Sequence, residues 1–108
     1  MKGETLTISR VREGYRLTYI KPCVTDKNRK MAEVMLGLGS PVDPEFMFSR
    51  LKAIYPDLGC SKELGLARIK NDGMTLMVFS NGRIIVREAK SEADILRHVT
   101  EIANALRV

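Results

Sequence analysis

Met74-Thr75-Leu76-Met77-Val78-Phe79 and Arg83-Ile84-Ile85-Val86-Arg87-Glu88, joined by Ser80-Asn81-Gly82, decide the fold of this chain. Two short runs rich in β-branched and aromatic residues around an Asn-Gly pair are the strongest local hairpin signal. A two-residue type I′ turn centred on Asn81-Gly82 sets the expected pairing: Ser80 with Arg83, Phe79 with Ile84, Val78 with Ile85, Met77 with Val86, Leu76 with Arg87. On that register one face carries Met77, Phe79, Ile84 and Val86, and the other carries Leu76, Val78 and Ile85. Both faces are apolar, so a helix layer on one side leaves the other to be covered by something else.

Downstream, Ser91-Glu92-Ala93-Asp94 reads as a helix start, with Ser91 as N-cap and carboxylates in the first turn, where the helix dipole favours them. Ile95, Val99, Ile102 and Leu106 form its buried stripe, widened by Leu96 and Ala103; Arg97, His98, Glu101 and Asn104 point outward. The helix is expected over 91–107. Upstream, Asp43-Pro44-Glu45 starts another, with Asp43 as N-cap and Pro44 at the first helical position. Met47, Leu51 and Ile54 recur on one of its faces, and Pro56 stops it after Tyr55. Residues 57–63 read as a loop, about 64–70 as a short strand, and Asn71-Asp72-Gly73 as a turn.

The N-terminal part alternates with period two over Thr5–Val11 and again over Tyr15–Lys21, with Arg12-Glu13-Gly14 between. This predicts a β-hairpin across residues 1–22, ended by Pro22. Lys30–Leu38 fits either periodicity: Met31, Val34, Met35 and Leu38 make a helical stripe, and Ala32, Val34, Leu36 and Leu38 a strand face.

A chain of 108 residues and 12.1 kDa is the size of one domain. No uncharged stretch approaches the roughly 18 residues that span a bilayer, and Met1-Lys2-Gly3-Glu4-Thr5 lacks the apolar core of a secretory signal. A cytoplasmic location without membrane contact is expected. Cys23 and Cys60 are too few for a disulfide framework and are expected to be reduced. The formal net charge of +5 and pI near 9.5 permit attraction to nucleic acid.

Residues 30–107 resemble one structural repeat of the TATA-box-binding protein family, which runs strand, helix, strand, strand, strand, long helix. Met31–Leu36, Val42–Tyr55 and Leu66–Ile69 correspond to its first pieces. The closest correspondence is Thr75–Val86, continuing through Ala89-Lys90-Ser91-Glu92. The resemblance tilts 30–38 toward strand. It implies an α+β fold, an antiparallel sheet with two helices on one face, here extended by the N-terminal hairpin. In that family two repeats form a saddle that bends the minor groove, with phenylalanines wedged between base steps. Phe79 falls on one wedge position, while near Glu63-Leu64, where the other would fall, there is no aromatic. A looser resemblance runs through Lys21-Pro22-Cys23-Val24-Thr25-Asp26 to an uncharacterised prokaryotic, often archaeal, domain that in many proteins precedes an iron–sulfur domain.

No motif places a nucleophile beside His98, the one histidine, and Gly37-Leu38-Gly39 lacks the rest of a nucleotide-binding fingerprint. Catalysis is not expected, and no cofactor or metal is assigned. The leading expectation is a non-catalytic module that self-associates as a homodimer or docks a protein partner through Met77, Phe79, Ile84 and Val86. The alternatives are nucleic-acid binding by a dimeric saddle, with Arg68, Lys70, Arg83 and Arg87 on phosphates, and an iron–sulfur or redox accessory role for Cys23 and Cys60.

Overall fold

The computed structural model describes residues 15–24 and 27–106. Among these described residues six strands form one antiparallel sheet: β1 (Tyr15–Pro22), β2 (Lys30–Leu36), β3 (Gly59–Ser61), β4 (Leu66–Asn71), β5 (Met74–Phe79) and β6 (Arg83–Ala89), in the spatial order β1-β2-β6-β5-β4-β3. Two helices, α1 (Pro44–Lys52) and α2 (Glu92–Leu106), pack on one side of it. The α+β architecture is the expected one. Residues 30–36 are strand, so their tertiary neighbours decide what periodicity left open. The expected first hairpin strand, Thr5–Val11, lies outside the described residues; its expected partner, β1, borders β2 and is the outermost of the described strands on that side.

Both helix caps form at the expected residues. The Asp43 carboxylate accepts from the Phe46 backbone N–H at 3.2 Å with Pro44 opening α1, and the Ser91 hydroxyl accepts from Asp94 N–H at 3.1 Å. Each satisfies a backbone donor that the first helical turn cannot pair internally. Helix α1 ends three residues earlier than expected, at Lys52. The loop expected at 57–63 contains β3, whose three residues pair with Leu66–Arg68 on the outer edge of β4.

The central hairpin differs from the expected register by one residue. The observed pairs are Val78 with Ile84, Met77 with Ile85, Leu76 with Val86 and Thr75 with Arg87. A type I′ turn requires positive φ at both central residues, but only Gly82 adopts it (φ 101°), and Asn81 does not. Asn81 instead accepts the Arg83 N–H on its side-chain oxygen at 3.0 Å, and Gly82 N–H reaches Phe79 C=O at 2.9 Å. The connection is a three-residue loop closed by a left-handed glycine, a common alternative to the two-residue turn. The two-residue left-handed turn occurs one hairpin earlier, at Asp72 (φ 55°) and Gly73 (φ 83°), between the paired Asn71 and Met74.

Because side chains alternate with period two, a slip of one residue exchanges the faces of β6 relative to β5. Ile84 and Val86 therefore join Leu76 and Val78 beneath the helices, all four with no exposed surface. The expected grouping of Ile84 and Val86 with Met77 and Phe79 is corrected: Ile85 takes their place on the open side. A Cβ on Gly82 would also lie 3.0 Å from the Leu36 carbonyl oxygen, which closes the junction with β2. Gly82→Ala is expected to cost about 1–2 kcal/mol, from left-handed backbone plus that close approach; a smaller shift in urea midpoint than this predicts would mean that the loop relaxes.

The core beneath the helices continues through Ala32, Val34 and Leu36 of β2, Ala67 and Ile69 of β4, and Leu17 and Ile20 of β1. The α2 stripe Ile95, Val99, Ile102 and Leu106 meets them as expected. His98 does not point outward; it is buried with 4 % of its surface exposed. Its Nδ1 lies 2.8 Å from the Tyr55 hydroxyl, which donates to the Glu101 carboxylate at 3.1 Å. This chain of polar groups ties the segment after α1 to α2 and lets a polar ring sit in the core. Burial, with the Arg97 charge, pulls the His98 pKa below its ordinary value; burial and the Glu101 charge push the Tyr55 hydroxyl up.

Since the unfolded chain holds the His98 proton more tightly than the folded one, it binds more protons as pH falls below about 6.5, and stability falls with it until the folded pKa is passed. Titrating the only imidazole by NMR should give a midpoint below 6.5. A midpoint above it would reverse the sign.

Candidate nucleic-acid interface

Cross-strand partners project to the same side of a sheet, so the register maps the face that the helices leave open. One row crosses the sheet: Tyr19 of β1, Glu33 of β2, Ile85 of β6, Met77 of β5, Arg68 of β4 and Gly59 of β3. On one side of it lie the pairs Arg16 with Met35, Met35 with Arg83, and Phe79 with Leu66. On the other lie Lys21 with Met31, and Arg87 with Thr75, which in turn pairs with Lys70. With strands about 4.8 Å apart, the field is about 24 Å wide.

Its composition is uneven in a useful way. Met31, Met35, Ile85, Met77, Phe79 and Leu66 are half-buried and form an apolar floor, while Arg16, Arg68, Lys70, Arg83 and Arg87 stand exposed around and within it. Lys21 is half-buried, its ammonium 5.1 Å from the centre of the Tyr19 ring. Two carboxylates oppose these six cations: Glu33 inside the field, and Glu88 at its corner. Glu88 adopts φ 60° in a bulge where Arg87 and Glu88 lie between the pairings of Ala32 with Val86 and Lys30 with Ala89. Six cations less two carboxylates leave a surplus of four, most of the chain's net +5.

The four residues expected to contact phosphates, Arg68, Lys70, Arg83 and Arg87, come together on this face from β4 and β6. Of the expected docking cluster, Met77 and Phe79 are here, and Ile84 and Val86 are not. Met31, Met35, Arg16 and Glu33 belong to the same field and were not expected there. Their alternation along β1 and β2 carries the signal once 30–36 is taken as a strand.

Arg83 donates from Nε to the Glu33 carboxylate at 2.9 Å, across two strands. The pair is partly exposed, so its contribution to stability is small, on the order of 0–1 kcal/mol. Its effect on the face is larger, since it fixes the position of one guanidinium.

The cysteines do not meet. Cys23 is buried just past β1 with its backbone N–H on Arg29 C=O at 2.9 Å, and Cys60 is exposed on β3 at the opposite edge, about 24 Å away by strand count. A site using both thiols of one chain is excluded by that geometry. Among the described residues no three His, Cys, Asp or Glu side chains converge, and no helix is long and apolar enough to cross a membrane.

No curated protein and no solved structure matches the chain. Residues 64–108 match the family described as transcription factor TFIID (or TATA-binding protein, TBP). That match runs from the turn before β4 through α2, and so includes the central hairpin and the strand carrying Arg68 and Lys70. With a single antiparallel sheet and two helices on one side of it, the chain has a TATA-box-binding-protein-like fold.

Proposed function

We propose that this protein is a non-catalytic binding module that holds nucleic acid on the open face of its sheet. The observation that carries the reading is the six-cation field over an apolar floor on the side opposite the helices. Phosphates supply the complementary charge, and the floor offers contact to sugars and base edges. A sheet about 24 Å wide cannot enter a major groove about 12 Å across. A duplex must therefore open its minor groove onto the face, where Phe79 and Met77 are residue types that serve as wedges.

The same charge count argues against two copies meeting face to face, which would bring twelve cations together with four carboxylates, a like-charge arrangement that interfaces avoid. Three methionines in the floor favour a second reading, an acidic protein surface, because flexible thioethers adapt to varied partners.

Duplex DNA binding measured by fluorescence anisotropy across salt tests the proposal. With about five cations engaged, log K should fall with log salt at a slope near −4.5, a loss of several hundredfold between 50 and 200 mM. No binding at 50 mM would remove the nucleic-acid reading and leave the acidic protein surface.

A further inference from the structure

Glu33 is out of place by its surroundings. Its cross-strand neighbours are Tyr19 and Ile85, its same-face neighbours along β2 are Met31 and Met35, and the field around them is cationic. The side chain is 23 % exposed, and its one described interaction is the Arg83 bond to Oε2. A carboxylate has room for about four hydrogen bonds. Any ligand lying on this floor strips water from the remaining acceptor positions, and an acceptor left unpaired on desolvation is penalised.

A bare phosphate chain offers only acceptors and more negative charge, so it cannot repair that loss. A base edge in the minor groove, the groove this face can meet, offers one amino group, N2 of guanine. Resting on the nucleic-acid reading above, we propose that Glu33 is the specificity-determining residue of the face, admitting a nucleic acid that presents a base amino group there and rejecting phosphate alone. Arg83 serves as its positioning residue, holding Oε2 and leaving Oε1 to the ligand.

Glu33→Gln keeps the shape and removes the charge. The experiment measures affinities of the natural chain and E33Q for duplex DNA and for inorganic polyphosphate of matched phosphate number, at one salt concentration, with melting temperatures showing both chains folded. The natural chain should prefer the duplex. E33Q should tighten polyphosphate binding by about tenfold, through loss of like-charge repulsion, and change duplex binding by less than about threefold, because the lost charge-assisted bond offsets the same relief.

Equal affinities of the two chains for both ligands would overturn the role of Glu33 while leaving nucleic-acid binding intact. An equal gain for both ligands would also overturn it, since the charge would then act on any polyanion alike. Failure of both chains to bind the duplex at low salt would take down the underlying reading itself.

Discussion

Ile84→Asp should unfold the protein, whereas Ile85→Asp, one residue along the same strand, should leave it folded. Ile84 has no exposed surface and lies in the core cluster with Leu76, Val78 and Val86. A carboxylate there loses the packing of a large side chain and must be buried without a partner. The combined cost exceeds about 4 kcal/mol, a large part of the roughly 5–15 kcal/mol that holds a domain together. Ile85 stands on the open face beside Met77 and Glu33, and its replacement is expected to cost within about 1 kcal/mol. Circular dichroism and urea midpoints read both. The opposite outcome, a folded Ile84→Asp and an unfolded Ile85→Asp, would restore the two-residue turn and its register.

The second large effect concerns the ligand. Arg68→Glu with Arg87→Glu reverses two cations that flank Met77 and Ile85 on β4 and β6. Both side chains are exposed, so the fold should persist with a melting temperature close to that of the unaltered chain. Duplex DNA affinity at 100 mM salt should drop by at least about a hundredfold, and the salt slope should become shallower by roughly two, one for each phosphate that the altered face no longer neutralises. Arg50→Glu with Lys52→Glu, the same charge change on α1, is the control and should alter binding little. Equal drops from the two pairs would show attraction to net charge alone, without a face.

The elements whose signals are local were legible in the sequence. Asp43-Pro44 and Ser91 determine helix starts through their own side chains, and the apolar runs of β5 and β6 around Gly82 admit no other pairing partner so close. Strand β2 needed its neighbours: Val34 and Leu38 fit both periods, and only insertion of the strand between β1 and β6 selects one. The register of the central hairpin was not legible, because the Asn81 side chain has a use that competes with positive φ, as acceptor for Arg83 N–H. Strand β3 has no apolar alternation to announce it, since Gly59-Cys60-Ser61 pair only because β4 offers an edge.

His98 departs from expectation for a different reason. It lies three residues after Ile95 and four before Ile102, inside the stripe, and its polarity argues it outward unless a partner such as Tyr55 waits in the core. The site was legible in part for the same cause. The cations of β4 and β6 are evident in the sequence, and the slip of one residue changes which apolar side chains stand among them.

Alternation along β5 and β6 also divides evolutionary labour. From Met74 to Arg87 the odd-numbered positions of these strands lie on the open face and the even-numbered ones beneath the helices, so two adjacent codons answer to separate selective pressures. The chemistry of the open face can drift along one register of the pleat while the other preserves foldability, and a mutational scan of Thr75–Arg87 should therefore score stability in a two-residue beat.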